Sequence, residues 1–78
     1  MPDNIVGAQI RRLRYQQGLT QDGLAAKCTR LGWDISRGTL AKVEAQVRCV
    51  SDSEMLVVAK ALKVAVDALY PPAGKSRR

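Results

Sequence analysis

The chain has 78 residues, with 13 lysines and arginines against 7 acidic residues, two cysteines and no histidine. A chain of this length forms one small domain with little room for a deep catalytic cleft, and no apolar run is long enough to span a membrane. The surplus of positive charge favours a polyanionic partner, with nucleic acid ahead of an anionic membrane surface, although the same charge could serve solubility alone.

The first residues lack the basic start and apolar run of a secretory signal. We therefore expect a cytoplasmic protein, bacterial or phage-encoded and nucleoid-associated. With no histidine, Cys28 and Cys49 cannot complete a zinc site or form a Cys–His nucleophile pair. Cys28 lies on an apolar helical stripe and should be buried. No metal, other cofactor or small-molecule ligand is predicted.

The first helix is expected over residues 4–17. Its apolar residues recur with the spacing of one helical face; they are Val6, Ile10 and Leu13. Asp3 or Asn4 can cap its start, and Gly18 suits the position after its end. The chain shows this helical spacing repeatedly and no strand alternation, so we predict an all-α fold.

Two further helices follow, each opened by a hydroxyl residue that can cap it. Thr20 begins a helix over about 21–31, which Gly32 ends. Ser36 begins another over about 37–45. The residues expected to face inward are Leu24, Cys28 and Leu31 on the second helix, and Leu40, Val43 and Val47 on the third.

A fourth helix begins at Ser51, which forms a capping box with Glu54, and it runs to about Lys63. Residues 55–59, with the sequence MLVVA, are apolar on nearly every side. Such a helix either lies at the centre of the core or presses against a partner.

A short fifth helix is expected over 66–70, because two prolines stop it at Pro71 and Pro72. The following residues, AGKSRR, have no apolar content to bury and should be disordered. The prediction is a domain over 1–70 and a disordered basic tail over 71–78.

Two charged residues border the inward stripes of their helices. Arg14 is four residues after Ile10, and Glu44 is four residues after Leu40. A carboxylate next to a core needs a partner, and the planar guanidinium suits a bidentate pair with it. We predict an Arg14–Glu44 ion pair between the first and third helices; the alternative is that both side chains extend to water.

The outward face of the third helix is unusual in its charge and size. It carries two cations, no acid and otherwise only very small residues: Arg37, Gly38, Ala41, Lys42 and Ala45. A solvated helix face normally mixes both signs of charge. This face is therefore predicted to be approached closely by something negative.

Three stretches together resemble the Cro/repressor-type, or XRE-like, helix-turn-helix family. They are LTQDGLAAK (19–27), ISRGTLAKVE (35–44) and ALKVAVDALY (61–70), and the resemblance extends over residues 5–70. It implies a five-helix, lambda-repressor-like domain whose third helix lies in the DNA major groove. Family members commonly bind two half-sites as two-fold dimers.

The resemblance implies a sequence-specific regulator of repressor type, acting as a homodimer on double-stranded DNA with a palindromic operator. Carried over by position, the base-reading residues are Arg37, Gly38, Ala41 and Lys42. The phosphate-contacting residues are Gln21, Ser36, Thr39, Gln46 and Arg48. The Arg14–Glu44 pair matches a pairing common in the family. At Gly38, the missing side chain either lets the helix sink toward the bases or is a tolerated surface change.

The chain departs from the family pattern in three places. About five extra residues precede the third helix, which extends the second helix, and Trp33 among them is expected to pack against the core. Gly23 stands where the family has an acid, and Ala65 stands where it has a capping serine.

No enzyme is predicted, because paired carboxylates, a glycine-rich phosphate loop and metal spacing are all missing from the sequence. The alternative function is an antitoxin or bridging protein-interaction module on the same scaffold, with a protein partner. The residues predicted for the dimer surface are Leu69, Tyr70 and the exposed side of the fourth helix.

Overall fold

The computed structural model describes residues 3–71. It contains α1 (Gly7–Gln16), α2 (Gln21–Arg30), α3 (Arg37–Glu44), α4 (Asp52–Leu62) and a 3-10 helix (Val66–Leu69). The all-α prediction is confirmed, since residues 3–71 contain no strand. The count of five α-helices is wrong: the last element has four residues and no side-chain cap at its start, too short for an α-helix before Pro71. The disorder predicted for the tail concerns residues 72–78, which lie outside the described residues.

The longest described helix, α4, has 11 residues, whereas a helix needs about 20 to cross a bilayer. Within residues 3–71, therefore, none of the helices could span a membrane.

Three of the four α-helices begin as their sequences predict. Thr20, Ser36 and Ser51 each accept a hydrogen bond from the backbone N–H three residues ahead. At Ser51, the Glu54 carboxylate accepts the backbone N–H of the serine in return, which completes the capping box. These bonds satisfy donors that a helix start would otherwise leave unpaired.

The start of α1 is arranged differently, because the side-chain amide of Asn4 both accepts and donates hydrogen bonds. Its Oδ1 accepts the backbone N–H groups of Val6 and Gly7, at 3.1 and 2.8 Å. Its Nδ2 donates to the carbonyl oxygens of Val43 and Arg48, at 3.1 and 2.8 Å. Asn4 is thus the cap, the helix begins three residues later than predicted, and the start of the chain is tied to the end of α3.

The core lies between α1, α2, α3, α4 and the 3-10 helix, and its completely buried side chains come from all five. The largest are Ile10, Leu24, Leu40, Leu62 and Leu69. Cys28 is buried among them as predicted, and burial raises the pKa of its thiol. This cysteine is therefore an apolar packing residue and not a nucleophile.

Two residues predicted to face inward do not. Leu31 is 46% exposed and Val47 is 60% exposed. Each lies just beyond the end of its helix, and a residue with positive φ is next to it: Gly32 at +107° and Gln46 at +66°. The chain changes direction there, so the helical spacing that suggested burial no longer applies.

Most of the apolar run in α4 belongs to the core. Met55, Val58 and Ala59 are buried, and Leu56 is the exposed member at 52%. The 3-10 helix packs on the same core through Leu69, which is completely buried. Leu69 therefore cannot form a dimer surface, whereas Tyr70 remains exposed.

The inserted residues before α3 are divided between helix and connection. Thr29 and Arg30 form the last turn of α2, and the connection follows. Trp33 donates its backbone N–H to the carbonyl of Cys28 at 3.0 Å, and its half-buried ring packs against the core. The predicted packing role of Trp33 is confirmed, and the guanidinium of Arg48 lies 5.7 Å from the ring centroid.

Candidate nucleic-acid interface

The outward face of α3 is exposed as predicted. Arg37, Gly38, Lys42 and Ala45 are exposed and Ala41 is half-buried, while the opposite side of the helix is in the core. An eight-residue helix thus separates its residues by role. One side fixes the helix to the domain, and the other presents two cations with little steric bulk.

The predicted ion pair fixes α3 to α1. Arg14 Nε lies 2.7 Å from Glu44 Oε2, and Arg14 Nη2 donates to Glu44 Oε1 at 2.9 Å. The two side chains are only 6% and 3% exposed. The hydrogen bond to Glu44 raises the pKa of Arg14 above its ordinary value, so the guanidinium stays charged. This is the bidentate geometry in which a buried pair can offset its loss of hydration.

Further bonds connect this pair to the start of α2. Arg14 Nη1 donates to the carbonyl of Leu19 at 2.8 Å, and Gln21 Nε2 donates to Glu44 Oε1 at 3.2 Å. The Glu44 carboxylate therefore accepts bonds from α1 and α2 while it belongs to α3. The relative positions of the three helices depend on one buried carboxylate.

A close backbone contact at Gly7 also fixes α3, and sequence reasoning missed it. A Cβ atom at Gly7 would collide with the carbonyl oxygen of Val43. It would also lie 3.0 Å from the carbonyl oxygen of Glu44 and 3.0 Å from Cγ of Gln46. One feature of the sequence could have indicated this contact. Glycine has a low helix propensity, so a glycine in the first turn of a helix suggests a close neighbour.

The predicted phosphate contacts fall into two groups. Ser36 and Thr39 lie at the start of α3, where their hydroxyls bond each other at 3.1 Å. Gln21, Gln46 and Arg48 already donate within the protein. Gln46 Nε2 donates to the carbonyl of Asn4 at 3.0 Å, and Gln21 donates to Glu44 as described above.

Arg48 forms an ion pair with Glu54. Arg48 Nη1 lies 3.1 Å from Glu54 Oε1 and donates also to the carbonyl of Cys49 at 2.9 Å. Burial would raise the pKa of Glu54, but hydrogen bonds from Arg48 and from the Ser51 backbone hold it below its ordinary value. Arg48 therefore has a structural role at the start of α4.

This pairing predicts a pH-dependent effect of Arg48→Ala. Because the pKa of Glu54 is lower in the folded state, the pair contributes its full stability at pH values above the unfolded-state pKa. This contribution is lost as the pH falls through the folded-state pKa. We expect Arg48→Ala to lower the free energy of unfolding by about 1 kcal/mol at neutral pH, since the pair is partly exposed. The difference should become smaller in acid, where only the contacts of Arg48 with Cys49 and Trp33 remain. Urea denaturation at several pH values measures it, with Arg12→Ala as a control; a difference independent of pH would contradict the assignment.

An open groove of about 600 Å³ runs between the end of α1, the start of α2 and the outward face of α3. Arg11 and Tyr15 line one side of it and Arg37 the other. The neighbouring guanidinium groups of Arg11 and Arg14, at 5.4 and 4.6 Å from the ring centroid, lower the pKa of Tyr15. Sequence reasoning missed Arg11 and Tyr15, although they lie one helical turn apart beside the inward stripe.

Arg37 has one acidic neighbour, Asp22, at 3.7 Å from Nε. Both side chains are largely exposed, at 65% and 78%. A long, solvated pair of this kind contributes little. The Arg37 side chain can therefore leave Asp22 for another anion at small free-energy cost.

The chain matches the helix-turn-helix family HTH_3 over residues 10–69. It is also similar to several solved structures, three of which are regulators or DNA-binding domains at 28–31% identity. The restriction-modification controller protein C.AhdI from Aeromonas hydrophila is 31% identical with a TM-score of 0.74, covering 83% of this chain and 87% of that one. The clp gene regulator ClgR from C. glutamicum is 30% identical with a TM-score of 0.77, covering 94% and 90%.

The third structure is the DNA-binding domain of BldD, at 28% identity and a TM-score of 0.73, covering 88% of this chain and 93% of that one. No curated protein sequence matches significantly. The family and its structural neighbours are DNA-binding regulators and not enzymes. With the family match and the buried ion pair behind α3, the chain belongs to the XRE-type helix-turn-helix family of DNA-binding transcription regulators.

Proposed function

We propose that this protein is a sequence-specific transcription repressor that inserts α3 into the major groove of double-stranded DNA. The observation that carries the proposal is the acid-free, small-residue outward face of α3, held by the buried Arg14–Glu44 pair. A rigidly supported helix with cations on its free side is suited to major-groove reading.

The base-reading residues proposed are Arg37, Gly38, Ala41 and Lys42. Arginine can bond a guanine edge in a bidentate manner, and an alanine methyl can contact the methyl of thymine. Gly38 adds no bulk, since a Cβ there would have only Ser36 Oγ nearby, at 3.8 Å. The backbone of α3 can therefore approach the bases closely at this position.

Phosphate contacts are proposed on both sides of the reading face. Gln21 and the free N–H groups at the start of α2 suit a phosphate, as do Ser36 and Thr39 at the start of α3. We add Arg11 and Tyr15, which line the groove beside Arg37. Two further candidates, Gln46 and Arg48, would have to exchange an internal hydrogen bond for a phosphate.

The proposed assembly is a homodimer on a palindromic operator, as is usual for two-fold proteins of this kind. Of the residues predicted for the dimer surface, Leu56 on α4 and Tyr70 are exposed. The proposal assigns residues 1–70 to DNA binding and 71–78 to a basic tail. It places the protein in the cytoplasm, as expected for a regulator like the controller protein C.AhdI and ClgR.

Selection of bound duplexes from a random pool tests this function. The expected result is a palindromic consensus whose half-sites lie about one helical turn apart. A pool that shows no sequence enrichment would reject sequence-specific binding. Retention on heparin at rising salt then distinguishes this function from the alternative, an antitoxin or bridging module. Retention that does not change when Arg37 and Lys42 are removed would favour the alternative.

Arg37→Ala should lower affinity for the selected operator by about 1–3 kcal/mol and relax specificity at one base position. The reason is the loss of a bidentate base contact, while the fold is unaffected because Arg37 is exposed. Titration of operator and of single-base variants measures both effects. Arg30→Ala, at an exposed arginine at the far end of α2, is the matched control. Operator affinity equal to that of the parent protein would contradict the reading role of Arg37.

Gly38→Ala should change stability and DNA binding in opposite directions. A Cβ at this position meets open space, and the lower chain entropy of alanine should stabilise the fold by about 0.5 kcal/mol. Operator affinity should fall about tenfold, or about 1.4 kcal/mol, because the methyl separates α3 from the bases. Denaturation and operator titration on one protein preparation provide both numbers. Unchanged affinity would make Gly38 a tolerated surface residue.

A further inference from the structure

A second basic surface lies at the opposite end of α2 from the proposed DNA contacts. Lys27 and Arg30 come from the last turns of α2, and Lys60 and Lys63 come from the end of α4. They surround a shallow hollow of about 200 Å³ whose floor includes the exposed Leu31. We call these four cations and Leu31 the rear basic cluster.

The ion pairs of the fold do not account for these charges. Within residues 3–71, no carboxylate lies within ion-pair distance of any of the four cations. Cations do stabilise helix C-termini, and one on each helix would serve that purpose. Four of them around one hollow repel each other, and an exposed leucine between them contributes nothing to a helix end.

The proposed DNA contacts do not account for the cluster either. The ten residues of α2 separate its two ends by about 15 Å. That distance exceeds the screening length of about 8 Å at physiological salt. A duplex against the start of α2 and the outward face of α3 would leave the rear basic cluster in solvent.

The cluster also cannot be a two-fold interface between copies of this chain. At the centre of such an interface, on the two-fold axis, a patch meets its own copy, so four cations would face four cations. The hollow is smaller than the ligand pockets typical of small molecules, which measure about 300–1,000 Å³. Its size fits one apolar side chain of a protein partner.

We infer that the rear basic cluster docks an acidic peptide segment of another protein, with one apolar side chain of that segment seated on Leu31. An apolar centre with a charged rim is the usual anatomy of a protein–protein contact. Opposite charge on the partner would steer its approach and set its specificity. Because the cluster lies away from the reading face, the protein could hold this partner and DNA at the same time.

The test begins with a displayed library of random peptides, selected on the Arg37→Ala/Lys42→Ala variant. That variant lacks the two reading-face cations, which reduces retention of acidic peptides at the DNA-binding side; the single variants below identify peptides held by Arg11 beside that face. We expect enrichment of peptides with several Asp or Glu residues around one large apolar residue. A selected pool with no acidic enrichment would overturn the proposal.

An enriched peptide is then titrated against single variants of the full chain. Arg30→Glu should weaken binding about tenfold or more, and Leu31→Ala should also weaken it. Arg12→Glu, the same charge reversal at an exposed position of α1, should change affinity by less than about twofold. Equal losses for Arg30→Glu and Arg12→Glu would mean attraction to net charge alone and would overturn the inference.

A titration of the same variants with operator duplex tests whether the rear basic cluster binds DNA instead of a peptide. If the cluster docks a peptide, Arg30→Glu retains most of the operator affinity of the parent protein, and the peptide does not displace the duplex. If Arg30→Glu loses duplex affinity as Arg37→Ala does, the cluster is a second DNA contact and the inference fails. Melting curves of both reversal variants confirm that the domain remains folded.

Discussion

Replacing Glu44 with alanine should lower the free energy of unfolding by about 3–5 kcal/mol. The substitution removes the partner of a guanidinium that is 6% exposed, and it leaves Gln21 without its acceptor. A domain of this size has a total stability of about 4–12 kcal/mol. The loss is therefore a large fraction of the total stability, and urea denaturation followed by circular dichroism should show a midpoint at much lower urea concentration than for the parent protein.

Two controls separate charge burial from the mere loss of a carboxylate. Asp22→Ala removes an exposed acid that lies 3.7 Å from its arginine, and it should change stability by less than about 0.5 kcal/mol. The double variant Arg14→Met/Glu44→Leu replaces the pair with apolar volume and should recover much of the loss. The interpretation fails if Glu44→Ala is no more damaging than Asp22→Ala.

Gly7→Ala is expected to destabilise the fold by about 2–3 kcal/mol. The added methyl collides with the carbonyl oxygen of Val43, and backbone cannot move aside as the end of a flexible side chain can. The start of α1 would have to shift away from the end of α3. Chemical denaturation measures the loss, and operator binding should weaken as well because α3 is displaced.

Gly38→Ala is the matched control for this second prediction. The substitution is identical and both glycines lie in the first turn of a helix, but only Gly7 faces a backbone neighbour within 3.5 Å. The two variants should change stability in opposite directions. Equal effects at both positions would show that helix propensity, and not the interhelical contact, determines the result.

Much of this fold follows from local patterns. The caps at Thr20, Ser36 and Ser51 act on residues three positions away, so a short window of sequence contains both partners. The Arg14–Glu44 pair joins distant residues, yet each is marked by a charge on an apolar stripe. The outward face of α3 can also be predicted, because it consists of the residues that remain once the inward-facing residues of the helix have been assigned.

The features that could not be predicted from the sequence depend on the turns of the chain and on contacts between distant segments. Leu31 and Val47 continue the apolar spacing of their helices, but the turns beside them remove both from the core. The contact at Gly7 and the internal bonds of Arg48 depend on segments that meet only in the folded domain. No local pattern indicates which of several polar side chains will find a partner inside the protein.

The side-chain amide of Asn4 has a consequence for how the protein is made. Asn4 is translated before the two carbonyl groups that it binds, which follow 39 and 44 residues later. Closing a loop of this length is slower than forming the local contacts between successive helices. The helix proposed to read DNA therefore acquires its final orientation only after it has been synthesised, when the segment before α1 returns to hold it.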